Sequence, residues 1–433
     1  MTGRNIAVIG GGISGLTAGY VLSRTDDVTL FEAQGRLGGH ADTHLVVPAI
    51  GPSIPVDTGF IVYNERTYPL LTRLFAELGV STQPSEMSMS VSCAGCGLQY
   101  AGHRGLAGVA AGLSRGHGRY LRMLTEIPRF HRAARRLLSS GVAGNDLTFG
   151  QFLADGGYSD YFTAHFALPL VAAVWSCPPG TALSYPAGYL FAFLANHGML
   201  AISGSPPWRT VTGGSRSYVE RIAKRLHSVR VSTPVRAVHR DAKAAEVRTV
   251  AGEVLTFDAV VIATHPSQAL RMLASPTQAE RDVLSAFGYT PNPALLHTDA
   301  RLLPGRRAAR ASWNYELSQC DPASADAAST NTASASTAPP RISYHMNRLQ
   351  SLPAAEDYIV TLGGAAVVDP RCVIDRMDYE HPAYTPASVA AQRRLPGLNT
   401  AVTAFAGAYH GWGFHEDGCR SGAEAARVLG GTW

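Results

Sequence analysis

From Ile6 to Glu32 the chain reads IAVIGGGISGLTAGYVLSRTDDVTLFE, and this stretch constrains the fold more than any other. Ile6 to Ile9 is a continuous apolar run closed by glycine, as expected of a parallel strand buried on both faces. Gly10-x-Gly12-x-x-Gly15 follows at once, and Leu16 to Leu22 continues as a helix with small residues where it must lie against a sheet. The glycines have separate tasks: a tight turn at Gly10, close approach of a pyrophosphate at Gly12, and close helix-to-strand packing at Gly15. Ile13 and Ser14 belong to the same phosphate-facing turn. A second apolar strand, Val28 to Phe31, ends in Glu32, followed by Ala33. A carboxylate at that point accepts hydrogen bonds from the adenosine ribose hydroxyls and disfavours a 2′-phosphate, so NADP is not the expected ligand.

At 433 residues the chain has room for two or three structural units around a large apolar interior. Its formal charge of +5 comes almost entirely from arginine, since Lys224 and Lys243 are the only lysines. Clusters at Arg132, Arg135, Arg136 and at Arg306, Arg307, Arg310 read as solvated faces; no nucleic-acid partner is expected, and weak attraction to anionic lipid headgroups is the more natural use of the excess charge. Six cysteines in a chain of this length do not make a disulfide framework, and without a signal peptide a reducing cytoplasm is expected, with contact at the inner face of a membrane as an addition. Cys93-x-x-Cys96 has no second Cys or His pair at ligand spacing, so it reads as two small residues in a hairpin and no metal is expected.

Arg36-x-Gly38-Gly39 lies just beyond the ribose acid. It resembles the second glycine motif of the flavin amine oxidase and phytoene desaturase superfamily, where arginine and glycines run along the FAD diphosphate and ribityl chain. The family usually carries Arg or Lys next, and this chain has His40. Thr233 to Val238 is similar to the family's adenine segment, with Val235 at the contact. Phe257 to Leu270 resembles the strand that returns under the diphosphate, with Ala263 and Thr264 at its turn. Ala404 to Leu429 resembles the C-terminal flavin motif, a strand, a turn at Gly407 and a helix whose positive N-terminus faces the flavin pyrimidine. That resemblance assigns Glu416, Asp417, Gly418 and Cys419 to the cofactor, with the Gly418 or Cys419 N–H as donor, and places Thr58 and Gly59 near the ring.

The resemblance implies an α/β chain, α+β overall: a Rossmann-like FAD-binding domain of the amine oxidase/glutathione reductase type, discontinuous, with an inserted mixed α+β substrate domain. The FAD-binding segments are 1–80, 205–270 and 395–433; the substrate segments are 81–204 and 271–394, with 318–341 as a flexible loop. FAD is expected to be non-covalent, since no cysteine stands where a covalent link forms. Further stretches, among them PVDTGFIVYNERTYPLLTRLFAELGV, WRTVTGGSRSYVERI, YEHPAY and GFHEDG, resemble a bacterial branch of predicted NAD/FAD-binding, amine-oxidase-like proteins. That branch is associated with cyclopropane-fatty-acyl synthase-like methyltransferases, which makes a neighbouring methyltransferase an expected partner.

Many flavin amine oxidases place a lysine near flavin N5. Here the corresponding position is His297, and Phe414 stands where monoamine oxidases carry a tyrosine. A cationic amine would gain from a carboxylate, which Glu416 or Asp417 supplies unless they cap the helix. The leading expectation is therefore an FAD-dependent oxidoreductase that desaturates a fatty acyl or other lipid substrate by hydride transfer to N5, with His297 as base and His415 and Glu416 as second choices. Amine oxidation, redox-neutral isomerisation of a lipid double bond, and a non-catalytic FAD-containing lipid-binding partner are the alternatives.

Tyr161 to Trp208 runs for 48 residues without Asp, Glu, Lys or Arg. Prolines at 169, 178, 179 and 186 deny it the roughly 20 uninterrupted helical residues of a membrane span. It reads as two helices, Tyr161 to Val174 and Pro186 to Leu200, in the substrate domain. Either it is ordinary core or Phe166, Leu170, Trp175, Tyr189, Phe193, Met199 and Trp208 line a lipid tunnel, joined by Tyr63, Trp412 and Phe414.

Overall fold

The computed structural model describes residues 3–48, 50–102, 105–114, 117–140, 147–201, 204–320 and 340–433. The opening motif forms as read: strand Asn5–Ile9, helix Ile13–Leu22, strand Asp27–Phe31. These two strands sit inside a five-stranded parallel sheet ordered Thr403–Phe405, Ala259–Ile262, Asn5–Ile9, Asp27–Phe31, Ser228–Arg230. Residues Ile6 to Val8 are fully buried, and so are Val260 to Ile262, as a strand covered on both faces requires.

All ten residues of Ile13–Leu22 are buried, so its neighbours must come close. The helix His415–Val428 packs along it, and a Cβ on Gly422 would meet the Ser14 carbonyl at 2.2 Å. A Cβ on Gly15 would meet the Gly10 carbonyl at 2.0 Å. Glycine at these positions lets helix, helix and turn share one small volume.

A seven-stranded mixed sheet forms the second layer system, in the order Val373–Ala383, Gly288–His297, Ile359–Leu362, Arg341–His345, Trp313–Leu317, Met89–Cys93, Gln99–Ala101. Its pairs are antiparallel except Trp313–Leu317 with Met89–Cys93. Every strand of the parallel sheet falls in segments 1–80, 205–270 and 395–433, and every strand of the mixed sheet falls between them. Trp313–Leu317 and Arg341–His345 pair antiparallel; of the segment 318–341 that joins them, residues 321–339 lie outside the described residues.

The chargeless stretch is helical in three pieces. Asp160–Phe162, a π-helical turn Thr163–Ala167 and Leu168–Trp175 run on continuously, then Pro179–Leu183 makes a short extra helix, then Ala187–Asn196 follows. Much of it faces the large core, where Phe130 is ringed by Phe149, Phe152, Tyr158, Phe162, Phe166 and Phe191 at 5.6–6.2 Å between ring centroids. Among the described residues no helix is long and apolar enough to cross a membrane.

Candidate functional site

One cavity of about 1370 Å³ runs from the glycine turns of the parallel sheet to the aromatic end of the chargeless stretch. Its polar end is built from Gly10, Gly12, Ile13, Ser14, Glu32, Ala33, Arg36, Gly38, Gly39, His40, Thr58, Gly59, Val235, Ala263, Thr264 and Gly407, all of which line it. Gly15 does not; it serves the packing already described.

The two glycine motifs touch each other. Gly38 N–H donates to the Gly11 carbonyl at 2.8 Å, and Gly12 and Gly38 form an isolated parallel bridge. The Glu32 carboxylate accepts from Gly11 N–H at 2.7 Å and from Gln34 N–H at 2.8 Å, which holds it at the strand end. Arg36 donates to the Gly39 carbonyl at 2.9 Å and pairs with Asp42 at 2.8 Å. Asp42 in turn accepts from Tyr379, whose hydroxyl lies 2.7 Å from Thr58 Oγ1.

These residues fit a dinucleotide. A Cβ on Gly12 would meet no protein atom within 4 Å, so the glycine leaves open space over the helix N-terminus rather than relieving a clash. No side chain caps the Ile13–Leu22 helix, whose first N–H groups are the natural partners of a diphosphate. His40 stacks on Tyr379 at 4.9 Å, and its buried Nε2 has no protein partner, an orphan of the kind a cofactor satisfies. Burial holds the His40 ring well below the ordinary imidazole range, so it is neutral.

The C-terminal helix is arranged differently from expectation. Gly418 N–H is spent on the Phe414 carbonyl at 3.0 Å, and Gly418 packs against Ile13 and Ser14. Cys419 is fully buried in the helix seam. Neither is a cofactor donor; the unspent N–H groups of a helix lie in its first turn, here at His415 to Asp417. Asp417 accepts from Phe414 N–H at 3.1 Å and pairs with Arg420 at 2.9 Å. Glu416 accepts from Leu70 and Leu71 N–H, both at 3.0 Å, capping the helix Pro69–Leu78. Both carboxylates are therefore caps, neither lines the cavity, and Glu416 is not a catalytic base.

His297 is also relocated. On its strand, Ala294 and Leu296 face the large core behind the cavity, while Leu295 faces a small separate cluster with Leu302 and Val368. Alternation puts His297 on the Leu295 side. Asp299 N–H donates to its Nδ1 at 3.1 Å, so Nε2 carries the proton and donates to Thr361 Oγ1 at 2.7 Å. Burial lowers its pKa to about 4. It is a satisfied structural imidazole, away from the cavity. His297→Ala should cost about 2–4 kcal/mol of stability through a void and two stranded partners, read as a lower thermal midpoint, while turnover per bound flavin stays within about twofold of the unsubstituted protein. A turnover loss of 100-fold or more would restore it as a base.

His415 does line the cavity, stacked on Phe60 at 3.8 Å with Nε2 2.9 Å from the Tyr218 hydroxyl. Burial lowers its pKa to about 3.

The apolar end of the cavity is walled by Ala173, Val174, Trp175, Ser176, Phe193, His197, Met199, Trp208, Trp412 and Phe414. Phe193 is the hub, 4.6 Å from both Trp175 and Phe414, 5.7 Å from Trp412 and 4.0 Å from His197. The charged lining residues are Glu32, Arg36 and Asp42 beside the glycine turns, Arg236 on the strand Val235–Arg240, Arg271 on the helix Pro266–Met272, and four from the edge strand Val373–Ala383, Asp375, Arg376, Asp378 and Glu380.

Four expected substrate residues are elsewhere. Phe166 packs on Phe130, and Leu170 lies against the same core. Tyr189 donates to the Gly411 carbonyl at 2.6 Å, and Tyr63 sits edge-on between Tyr68 and Phe75. Residues 173–176, at the C-terminal end of Leu168–Trp175, reach the cavity instead. His197 was missed; its i,i+4 spacing from Phe193 was the available signal. Burial lowers its pKa to about 4.

Residues 13–298 match the family described as flavin containing amine oxidoreductase. Coproporphyrinogen III oxidase of Mycobacterium leprae (strain TN) is 45% identical over 85 residues, 19% of this chain, so the match spans only 18% of that protein's length. Among solved structures, cyclohexylamine oxidase from Brevibacterium oxydans IH-35A superposes with a TM-score of 0.66 at 16% identity, covering 99% of this chain and 98% of its own. The CLA-producing fatty acid isomerase from P. acnes gives 0.64 at 14% identity, with 98% of each chain covered. A putrescine oxidase gives 0.65 at 15% identity, again over 98% of each. With the matched region covering well over half of the chain and the glycine cradle shaped for FAD, the chain belongs to the flavin containing amine oxidoreductase family.

Proposed function

We propose that the protein is an FAD-dependent oxidoreductase that desaturates a fatty acyl or other lipid chain, with double-bond isomerisation as the redox-neutral variant. Bound flavin supplies the hydride acceptor. The observation that carries this reading is the wall of the apolar end: aromatic, aliphatic and neutral-histidine side chains, with Glu416 and Asp417 turned away into helix caps. A chain without charge is matched by such a wall, whereas an ammonium group would lose its water there without a carboxylate in return.

The residues at the aromatic end bind and exclude water. Trp175, Phe193, Trp412 and Phe414 supply flat apolar area, and Thr58 with Tyr379 and Asp42 stiffens the turn beside the cradle. His415 and His197 stay neutral near pH 7, since burial depresses both. Weak bases of this kind suit a reaction in which hydride departs first and leaves an acidic C–H beside the electron-poor carbon.

A second reading, amine oxidation, is favoured by the fold shared with putrescine and cyclohexylamine oxidases and by the stacked Phe193–Phe414 pair, whose faces attract a cation. A methyltransferase that elaborates acyl chains is the partner that fits the lipid reading, with the protein at the surface of a membrane that holds its substrate. Fatty-acid profiles of cells with and without the protein test it. A mass loss of two hydrogens, or a moved double bond, in one acyl species is expected; identical profiles in a strain that makes the flavin-loaded protein would sink the lipid reading.

A further inference from the structure

Away from the cavity, two cysteines of one hairpin converge with a histidine and a third cysteine from distant parts of the sequence. The sulfurs of Cys93, Cys96 and Cys320 and a ring nitrogen of His165 all lie within 4.8 Å of one another. Cys93 ends the strand Met89–Cys93, and Cys96 is in the hairpin turn that leads to Gln99–Ala101. His165 sits on the π turn Thr163–Ala167, and Cys320 lies just past Trp313–Leu317. We propose, against the expectation of no metal, that these four side chains form a structural zinc site.

The distances have the size a zinc tetrahedron demands. With Zn–S near 2.3 Å and Zn–N near 2.05 Å, tetrahedral angles give S···S edges of about 3.8 Å and S···N edges of about 3.6 Å. Cys93 Sγ lies 3.8 Å from Cys320 Sγ, and Cys96 Sγ lies 3.6 Å from His165 Nε2. Thiol contacts alone reach such distances in pairs; what points to an ion is that four ligand atoms converge within 4.8 Å.

The surroundings are also those of a metal site. His165 Nδ1 lies 3.0 Å from the Tyr161 carbonyl, to which it must donate. That fixes the tautomer and leaves the Nε2 lone pair facing the sulfurs, the outer-shell bond that metal-binding histidines make. The ring is fully buried and stacks on Tyr161 at 4.0 Å. Gly97 takes a left-handed φ of 72°, closing the turn with its N–H 2.9 Å from the Cys93 carbonyl. A π turn, costly in a plain helix and frequent at functional sites, is what carries the fourth ligand.

Three thiolates and a neutral imidazole around Zn²⁺ leave one net negative charge. All four positions are taken by protein, so the ion is structural. It would tie the edge of the mixed sheet to the helical run that continues, through Leu168–Trp175, into the wall of the apolar chamber.

Metal analysis of the flavin-loaded protein, purified from zinc-supplemented cells without chelator, tests this. Close to one zinc per chain is expected. Cys96→Ser and Cys320→Ser should each lower zinc at least tenfold, while Cys372→Ser, outside the cluster, should leave it unchanged. Should the variants fail to fold, the unsubstituted protein exchanged with Co²⁺ gives the second readout: intense visible bands beyond the flavin absorption, as a tetrahedral thiolate-rich ion produces. A zinc-free protein with no such bands after exchange, or a Cys93–Cys320 disulfide found by mass spectrometry in that preparation, would overturn the site.

Discussion

Gly12→Ala should leave the fold intact and weaken FAD binding roughly 100-fold, about the loss of one charge-assisted hydrogen bond of 1.5–3 kcal/mol. The added methyl meets no protein atom within 4 Å, and Gly12 has a φ of −75°, which alanine adopts without strain. The only thing it can displace is the occupant of the cradle. Gly15→Ala makes the contrast, because its methyl would sit 2.0 Å from the Gly10 carbonyl. Backbone must move to admit it, at a cost of about 1–3 kcal/mol or more. Apoprotein melting separates the two: the Gly12 variant is expected within about 2 °C of the parent and the Gly15 variant several degrees below it. Equal flavin affinity in Gly12→Ala and the parent would mean that the diphosphate lies elsewhere.

Val174→Asp should abolish reduction of the flavin by a lipid substrate while FAD remains bound. Val174 lies on the last turn of Leu168–Trp175 and faces the chamber. An ionised carboxylate there must be stripped of water when an acyl chain enters, a penalty of several kcal/mol, so the reduction rate should fall by about 100-fold or more. Val174→Leu keeps the wall apolar and should stay within about threefold. An aspartate that left lipid reduction untouched would show that the chain passes along another wall.

The nucleotide-binding half was legible because its signals are local. Turn, helix and strand follow one another between Asn5 and Phe31, and each glycine task depends on neighbours a few residues away. The chamber was legible only in part, since it depends on phase. A helix reading of Tyr161 to Val174 assumes 3.6 residues per turn throughout, and the π turn at Thr163–Ala167 breaks that assumption. Phe166 and Leu170 went to the core, while Trp175, Phe193, Met199, Trp208, Trp412 and Phe414 reached the cavity. His297 failed on parity, because one step along a strand exchanges the faces of a sheet. Glu416 failed on partners: its two donors, Leu70 and Leu71, lie on a helix that no spacing rule connects to it. The Cys93, Cys96, His165 and Cys320 cluster is of the same kind: Cys93-x-x-Cys96 shows only half of it, and no spacing connects that pair to His165 or Cys320.

Burial does two opposite things to the site's ionisable groups. It keeps His415 and His197 neutral, and it pushes Glu416 up to about 7 against the two backbone N–H groups that favour its charge. The apolar chamber is thus joined to a cradle at the uncapped N-terminus of the helix Ile13–Leu22, with Glu32 and Arg36 at its rim.

Anaerobic mixing of the FAD-loaded protein with single substrates tests the central claim most directly. Oxidised flavin absorbance should bleach, or substrate isomerise without net bleaching, when acyl lipids are supplied as phospholipid, thioester or free acid, and should persist with primary amines and polyamines. Rapid bleaching by an amine together with inert acyl chains would contradict the lipid reading, and the chamber would then be an amine site without a carboxylate.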